Sequence, residues 1–132
     1  MVIPFHSPII PNSLDEIFLD SMKKGWLTTG PIVAKFESEL REYLSVKYVV
    51  AVNSCTAALH LALAAKKFNE GDKFIVPTYT FVATAEVGEY LNMTPILIDC
   101  DKDFNLDINK IEDELKKYPD IKCIIPVHFA GK

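Results

Sequence analysis

The feature that most constrains the fold is an alternation, from residue 48 onward, of short apolar runs with helix-like segments. The first run, Tyr48 to Val52, is continuous and rich in valine, as is typical of strands buried on both faces. Similar runs follow at 74–76, 95–98 and 121–127. Between them lie segments with helical periodicity, at about 55–67, 80–91 and 107–117. The order β-α-β-α-β-α-β requires crossover connections, which predict an α/β fold of three layers with a mostly parallel sheet and helices on both faces.

Two amphipathic helices are expected before the first strand. Ser13 and Glu16 form a capping-box signature that begins a helix at about 14–24, and Gly25 is placed to end it. The next residues, up to Pro31, have no period and predict a loop. A second helix then begins with Pro31 in its first turn.

The composition excludes intrinsic disorder and disfavours several kinds of partner. Of the 132 residues, 49% are hydrophobic, and 14 Lys and Arg against 18 Asp and Glu leave a net charge of −4. The lysine pairs lie on separate segments and form no basic stripe, so we expect no nucleic-acid partner. The longest nearly apolar stretch, Cys55 to Ala65, is shorter than the roughly 18 residues of a membrane span. Residues 1–6 show no secretory signal, and we expect a cytoplasmic protein without membrane contact.

Neither the cysteines nor the acidic residues predict a metal site. The three cysteines are widely spaced and form no C-x-x-C pair, which disfavours a disulfide framework and a zinc site. The alternating run Asp99, Asp101 and Asp103 resembles part of a calcium loop, but the glycine and the closing glutamate are missing. We therefore expect no metal and interpret these acids as a solvated turn that caps the next helix.

Ligands of parallel α/β sheets bind at the carboxyl ends of the strands, so the turn after the first run is a candidate site. This turn contains Ser54 and Thr56 and continues directly into a helix, whose first amides and dipole favour a phosphate or a carboxylate. An N-cap formed by Asn53 or Ser54 explains the same residues equally well. The turn has neither of the glycine-rich phosphate motifs, and Pro77-Thr78 after the second run offers no acid for a ribose, which disfavours NAD and ATP.

The second and fourth runs are also followed by chemically interesting side chains. Tyr79 and Phe81 stand among threonines, and an aromatic ring at this position can stack on a planar cofactor, although such residues also occur in protein cores. His128 ends the fourth run. It is either a general acid or base or a hydrogen-bonded structural residue, and the structural interpretation is favoured because no partner is visible.

Five motifs in order resemble the amino-terminal part of the DegT/DnrJ/StrS family of sugar aminotransferases. They are GWLTTGP at 25–31, AVNSCTAALHLAL at 51–63, GD at 71–72 with IVP at 75–77, TFVATA at 80–85 and PVHFAG at 126–131. The resemblance covers the whole chain and implies the aspartate-aminotransferase type of fold, known as fold type I. It implies one incomplete domain over 1–132, in which 1–46 holds the amino-terminal helices and an active-site loop. Residues 47–132 would then form part of the cofactor-binding large domain.

The resemblance also implies a function. Members of the family are sugar aminotransferases that use pyridoxal 5′-phosphate, and those most similar in these motifs make 4-amino sugars on nucleotide carriers. The resemblance therefore implies transfer of an amino group, from glutamate, to a 4-keto sugar carried on a nucleotide. The products enter cell-surface polysaccharide or amino-sugar biosynthesis, and the complete enzymes are homodimers. By similarity the cofactor-binding residues are Cys55 through its backbone, Thr56, Ala57 and Phe81. The substrate-side candidates are Trp26, Thr28, Thr29, Gly30 and His128.

The catalytic residues of the family are not expected within this chain. The aspartate that pairs with the pyridinium nitrogen and the lysine that forms the Schiff base follow the segment that corresponds to 126–131, and Lys132 lacks that context. We therefore expect the 132 residues to be inactive alone. Two alternatives stay open, namely a structural module that pairs through exposed sheet edges, and a small protein that binds a phosphate ligand with the turn from Ser54 to Ala57.

Overall fold

The computed structural model describes Pro4 and residues 7–132, in two compact units, Met1–Ala51 and Val52–Lys132. The expectation about a secretory signal concerns residues 1–6 and, apart from Pro4, lies outside the described residues. Within the described residues, none of the helices has the length and apolar character needed to cross a membrane.

The described part of the first unit contains two helices. Helix α1 spans Leu14–Lys23 and helix α2 spans Pro31–Leu44. The predicted capping box is not formed, because the Ser13 side chain makes no capping hydrogen bond and Ser13 itself has helical backbone angles. The chain leaves α1 through Gly25, whose φ of +75° carries no steric cost for glycine. Pro31 occupies the start of α2, as predicted.

The second unit is an α/β structure with three parallel strands. Its elements are α3 (Cys55–Lys66), β1 (Lys73–Pro77), α4 (Ala83–Glu89), β2 (Thr94–Ile98), α5 (Ile108–Lys117), β3 (Ile121–Ile124) and a short 3₁₀ turn at Phe129–Gly131. The strand order is β2-β1-β3, so β1 is the central strand. The predicted fold class, a parallel sheet with helices, is confirmed.

The central strand β1 contributes to a hydrophobic core on each face of the sheet, because successive side chains of a strand point to opposite faces. On one face the buried core consists of Phe74, Val76 and Met93. On the other face it consists of Ile75, Ile98 and Leu106, against which Ile111 of α5 packs. A strand buried on both faces requires a continuous apolar run, which is the pattern of residues 74–76.

The predicted first strand, 48–52, is wrong. In the described structure these residues belong to no strand, and Tyr48 and Val50 are each 75% exposed. A run of β-forming residues becomes a strand only where a neighbouring strand pairs with its amides and carbonyls. Here the Ala51 amide donates instead to a carboxylate oxygen of Glu37 on α2, at 2.8 Å.

The last strand is shorter than predicted. The apolar run extends to Val127, but β3 ends at Ile124. The Ile125 amide still donates to the carbonyl of Ile75 in β1, at 2.9 Å, and Pro126 then has no N–H to continue the pairing. The segment 127–131 therefore leaves the sheet at the carboxyl end of β3.

Candidate functional site

The turn before α3 combines an N-cap with free donors. The Ser54 hydroxyl accepts a hydrogen bond from the Ala57 amide at 3.1 Å, and its backbone is extended, so Ser54 is the N-cap of α3. The cap uses only one amide of the first turn. The amides of Cys55 and Thr56 are the donors that remain for a ligand. Cys55 is exposed, and Thr56 and Ala57 are partly buried.

Phe81 lines an open pocket at the carboxyl end of the sheet. It lies in the connection between β1 and α4, and 76% of its surface is exposed. The pocket has a volume of about 380 Å³, and its lining residues are Tyr79, Thr80, Phe81, Val127 and Phe129. An exposed aromatic side chain leaves a large apolar area in water, which a planar ligand stacked on it would cover.

Three aromatic rings pack together beside this pocket. The ring centroids of Tyr79, Phe104 and Phe129 are 5.2 to 5.3 Å apart, with tilted or edge-on planes. We call these three residues the aromatic group. The sequence interpretation singled out Tyr79 but missed Phe104 and Phe129. The available signal was that each follows the carboxyl end of a different parallel strand, and those ends meet at one edge of a sheet.

His128 lies next to the aromatic group but not among the residues that line the pocket. Its ring is exposed, and Nδ1 lies 2.9 Å from the backbone oxygen of Lys132. The backbone at His128 leads into the short 3₁₀ turn. His128 therefore precedes Phe129, which lines the pocket, but does not line the pocket itself.

The predicted substrate-side loop lies in the first unit. Trp26, Thr28 and Gly30 contribute to a pocket of about 180 Å³ formed with residues of α1 and α2. Gly30 lies against the indole of Trp26, since a Cβ at Gly30 would be 2.7 Å from its Cε3 atom. The Ser21 hydroxyl donates to the Trp26 carbonyl at 2.9 Å, which ties the loop to α1. Thr29 is exposed and does not line this pocket.

The acidic residues after β2 serve the local structure, as the sequence interpretation proposed. Asp101 accepts hydrogen bonds from two backbone amides of its own turn, and Asp107 caps α5. Asp99 pairs with Lys110 at 3.3 Å. The pKa of Asp99 lies below its ordinary value because the backbone N–H of Cys100, and then Lys110, stabilise the carboxylate. In the part of the chain that the structure describes, no group of three or more metal-ligating side chains is assembled.

Comparison with known proteins identifies one family. The sequence profile of the DegT/DnrJ/EryC1/StrS aminotransferase family matches residues 8–132. Among curated proteins, the spore coat polysaccharide biosynthesis protein SpsC of Bacillus subtilis (strain 168) is 38% identical over 130 residues, which are 98% of this chain and 33% of that protein. The GDP-perosamine synthase of Caulobacter vibrioides is 37% identical over 128 residues, which are 96% of this chain and 34% of that protein.

A solved structure extends the likeness to three dimensions. Spr1654 from Streptococcus pneumoniae, in its PLP form, matches with a TM-score of 0.89 and 35% sequence identity. The match covers 98% of this chain and 33% of that chain. The present chain thus spans about a third of the length of the proteins that it matches.

Proposed function

Because the chain belongs to the DegT/DnrJ/EryC1/StrS aminotransferase family, we propose that it forms part of the cofactor pocket of a pyridoxal-phosphate-dependent sugar aminotransferase. The resemblance inferred from the five motifs is thereby confirmed, and the cofactor is the one bound by the matching solved structure. The chain spans about a third of its relatives, so the activity of the whole protein is part of the proposal.

The observation that carries the proposal is the exposed ring of Phe81 in the pocket at the carboxyl end of the sheet. The residues present fit pyridoxal phosphate. Phe81 would cover one face of the cofactor ring, and the amides of Cys55 and Thr56, with the Thr56 hydroxyl, would bind the phosphate beside the capped Ala57 amide. When bound, the cofactor supplies an electron sink at the carbon that gains or loses the amino group.

The substrates and the assembly complete the proposal. One relative is named for a GDP-linked product and another for polysaccharide biosynthesis, which supports a nucleotide-linked keto sugar as acceptor. The 4-keto position, glutamate as donor and a homodimer follow from the family resemblance. The substrate-side residues are Trp26, Thr28, Thr29, Gly30 and His128.

The binding of pyridoxamine 5′-phosphate tests the cofactor site. This form of the cofactor carries an amine, so it forms no imine with surface lysines and its affinity reports non-covalent contacts alone. Thr56→Val removes the hydroxyl donor, and we expect its dissociation constant to rise about tenfold, the effect of losing one hydrogen bond to a charged group. The measurement is calorimetric titration.

The matched control is Thr94→Val, the same change at an exposed residue where β2 begins. Equal affinities of the two variants would contradict the phosphate role of Thr56. Titration with inorganic phosphate distinguishes the proposed cofactor pocket from the alternative, a simple phosphate-binding module. If inorganic phosphate binds as tightly as the cofactor form, the ring makes no contact and the aminotransferase pocket is rejected.

A second test concerns the 132 residues by themselves. Among the described residues that line the pocket around Phe81 there is no lysine. We therefore propose that the catalytic lysine lies outside this lining and that the 132 residues alone transfer no amino group. The assay combines the chain, pyridoxal phosphate, glutamate and a nucleotide-linked 4-keto sugar, and follows the formation of 2-oxoglutarate. Product formation above a cofactor-only blank would contradict the proposal.

A further inference from the structure

Two neighbouring residues of the loop between β2 and α5 contact residues that line the pocket. The Phe129 amide donates to the side-chain oxygen of Asn105 at 3.0 Å. The ring of Phe104 packs against those of Tyr79 and Phe129, with centroids 5.2 and 5.3 Å apart. Tyr79 and Phe129 both line the pocket, whereas Phe104 and Asn105 do not. The loop therefore acts on the pocket from behind its lining residues.

The same loop is held firmly by its own hydrogen bonds. One carboxylate oxygen of Asp101 accepts from the amides of Asp103 and Asn105, at 2.8 and 3.1 Å. The Asp101 amide donates to the Asn105 carbonyl at 2.9 Å. Phe104 has a φ of +62°, a conformation that a phenylalanine adopts only where its surroundings require it. The backbone at Asn105, from which its side chain extends, is thus held by hydrogen bonds.

The loop is also anchored in the core of the sheet. Leu106 is buried with Ile75 and Ile98, on the face opposite Phe74. A backbone bridge joins Leu106 to Cys100, which lies two residues after the end of β2. A continuous series of contacts therefore runs from the central strand through Leu106 and Asn105 to the backbone of Phe129.

We propose that Asn105 is a positioning residue of the cofactor pocket. Its carboxamide oxygen fixes the backbone at Phe129, and the ring of Phe104 packs against the ring of Phe129. The side of the pocket lined by Val127 and Phe129 is therefore ordered before the ligand binds. A preordered lining reduces the ordering cost of binding. Asn105 touches neither cofactor nor substrate. This inference rests on the proposed function.

The experiment measures the dissociation constant of pyridoxamine 5′-phosphate in the full-length protein that carries this chain. Asn105→Ala removes the acceptor, and we expect an increase of about fivefold, because binding must then order the lining at Phe129 at a cost of about 1 kcal/mol. Asn105→Asp keeps an acceptor oxygen at the same place and should bind within about twofold of the wild type. The matched control is Asn69→Ala, at an exposed residue before β1, and it should leave the affinity unchanged.

A second measurement observes the contact without the ligand. Amide hydrogen exchange at Phe129 should be faster in Asn105→Ala than in the wild type and should be restored in Asn105→Asp. If Asn105→Ala does not fold, Asn105→Ser replaces it, because the shorter side chain does not reach the Phe129 amide.

The outcomes separate the two proposals. A wild-type protein that binds the cofactor, together with an Asn105→Ala variant of equal affinity, overturns the positioning role alone. A wild-type protein that does not bind the cofactor overturns the proposed function and the positioning role with it. Weak binding by Asn105→Asp as well as Asn105→Ala also overturns the role, because the acceptor would then not be the property that matters.

Discussion

Two glycines of this chain are required for different physical reasons. Gly88 lies in α4 facing the sheet, and a Cβ there would overlap the ring of Phe74, which is fully buried. Gly71 has nothing within 4 Å of such a Cβ, but its φ is +83°. The first glycine is needed for close packing of helix on sheet, and the second for a backbone conformation that other residues adopt with strain.

Gly88→Ala is expected to destabilise the protein although alanine favours helices. The overlap with Phe74 costs about 1–3 kcal/mol by overpacking, against a gain of about 1 kcal/mol in helix propensity. Urea unfolding followed by circular dichroism measures the difference. The control is at Gly71, where only the positive φ opposes a side chain. There Gly71→Asn should lose less stability than Gly71→Ala, since asparagine tolerates positive φ. A Gly88→Ala variant as stable as the wild type would show that α4 can move away from the sheet freely.

The elements of the second unit differ in how completely their backbones are paired. Strand β1 has a partner on each side, whereas β2 and β3 each have one within the described structure. Residues 48–52 are as apolar as β1 yet belong to no strand. Local β-forming tendency is therefore insufficient, and pairing with neighbouring strands decides which run becomes a strand.

Hydrogen exchange should reflect this order in the 132-residue chain. The amides of 74–76 should exchange most slowly, because their opening requires unfolding of both sheet pairings. Those of Val49, Val50 and Val52 should exchange fastest among the apolar runs, whereas the Ala51 amide is partly protected by its hydrogen bond to Glu37. Exchange followed by mass spectrometry of peptides resolves the two segments. Equal protection of both would contradict the absence of a strand at 48–52.

At the scale of the whole molecule, two carboxylates, Asp99 and Asp120, are stabilised by fixed partners. The pKa of Asp120 lies below its ordinary value, chiefly because the ammonium of Lys73 donates a hydrogen bond to it, and this pair joins the beginnings of β1 and β3. The pKa of Asp99 is lowered as well, first by the Cys100 amide and then by Lys110. Both groups hold their protons less readily when folded than when unfolded.

The sign of this linkage predicts the pH dependence of stability. A depressed folded pKa contributes stability that is fully present above the unfolded value, near 3.8, and is lost as the pH falls through the folded pKa. The free energy of unfolding should therefore be flat from about pH 7 to about pH 5 and fall below about pH 4. Asp120→Asn should reduce this fall, whereas Asp113→Asn, at an exposed residue of α5, should reproduce the wild-type profile. Parallel profiles of both variants and the wild type would contradict the role of Asp120.

Local patterns were sufficient for several features of the fold. The period of the apolar residues predicted the helices and the α/β class, and the cap of α5 by Asp107 followed from a residue type that favours this position. The capping box at Ser13 failed although its motif was present, because the residue itself adopted helical angles. A cap motif supplies the side chains that can form capping hydrogen bonds, while the backbone conformation decides whether these bonds form.

The order of residues along the chain was enough for the fold class and the family, which are confirmed, because these depend on local periodicity and on motifs read in sequence. The roles of Thr56 and Phe81, inferred from the same motifs, stay predictions. Only the folded structure decided the strand order β2-β1-β3, the unpaired state of 48–52 and the meeting of the aromatic group. It also decided that Asn105 reaches the Phe129 amide, 24 residues away. Strand pairing and ring packing join residues that are distant in sequence, and no local pattern encodes which partners meet.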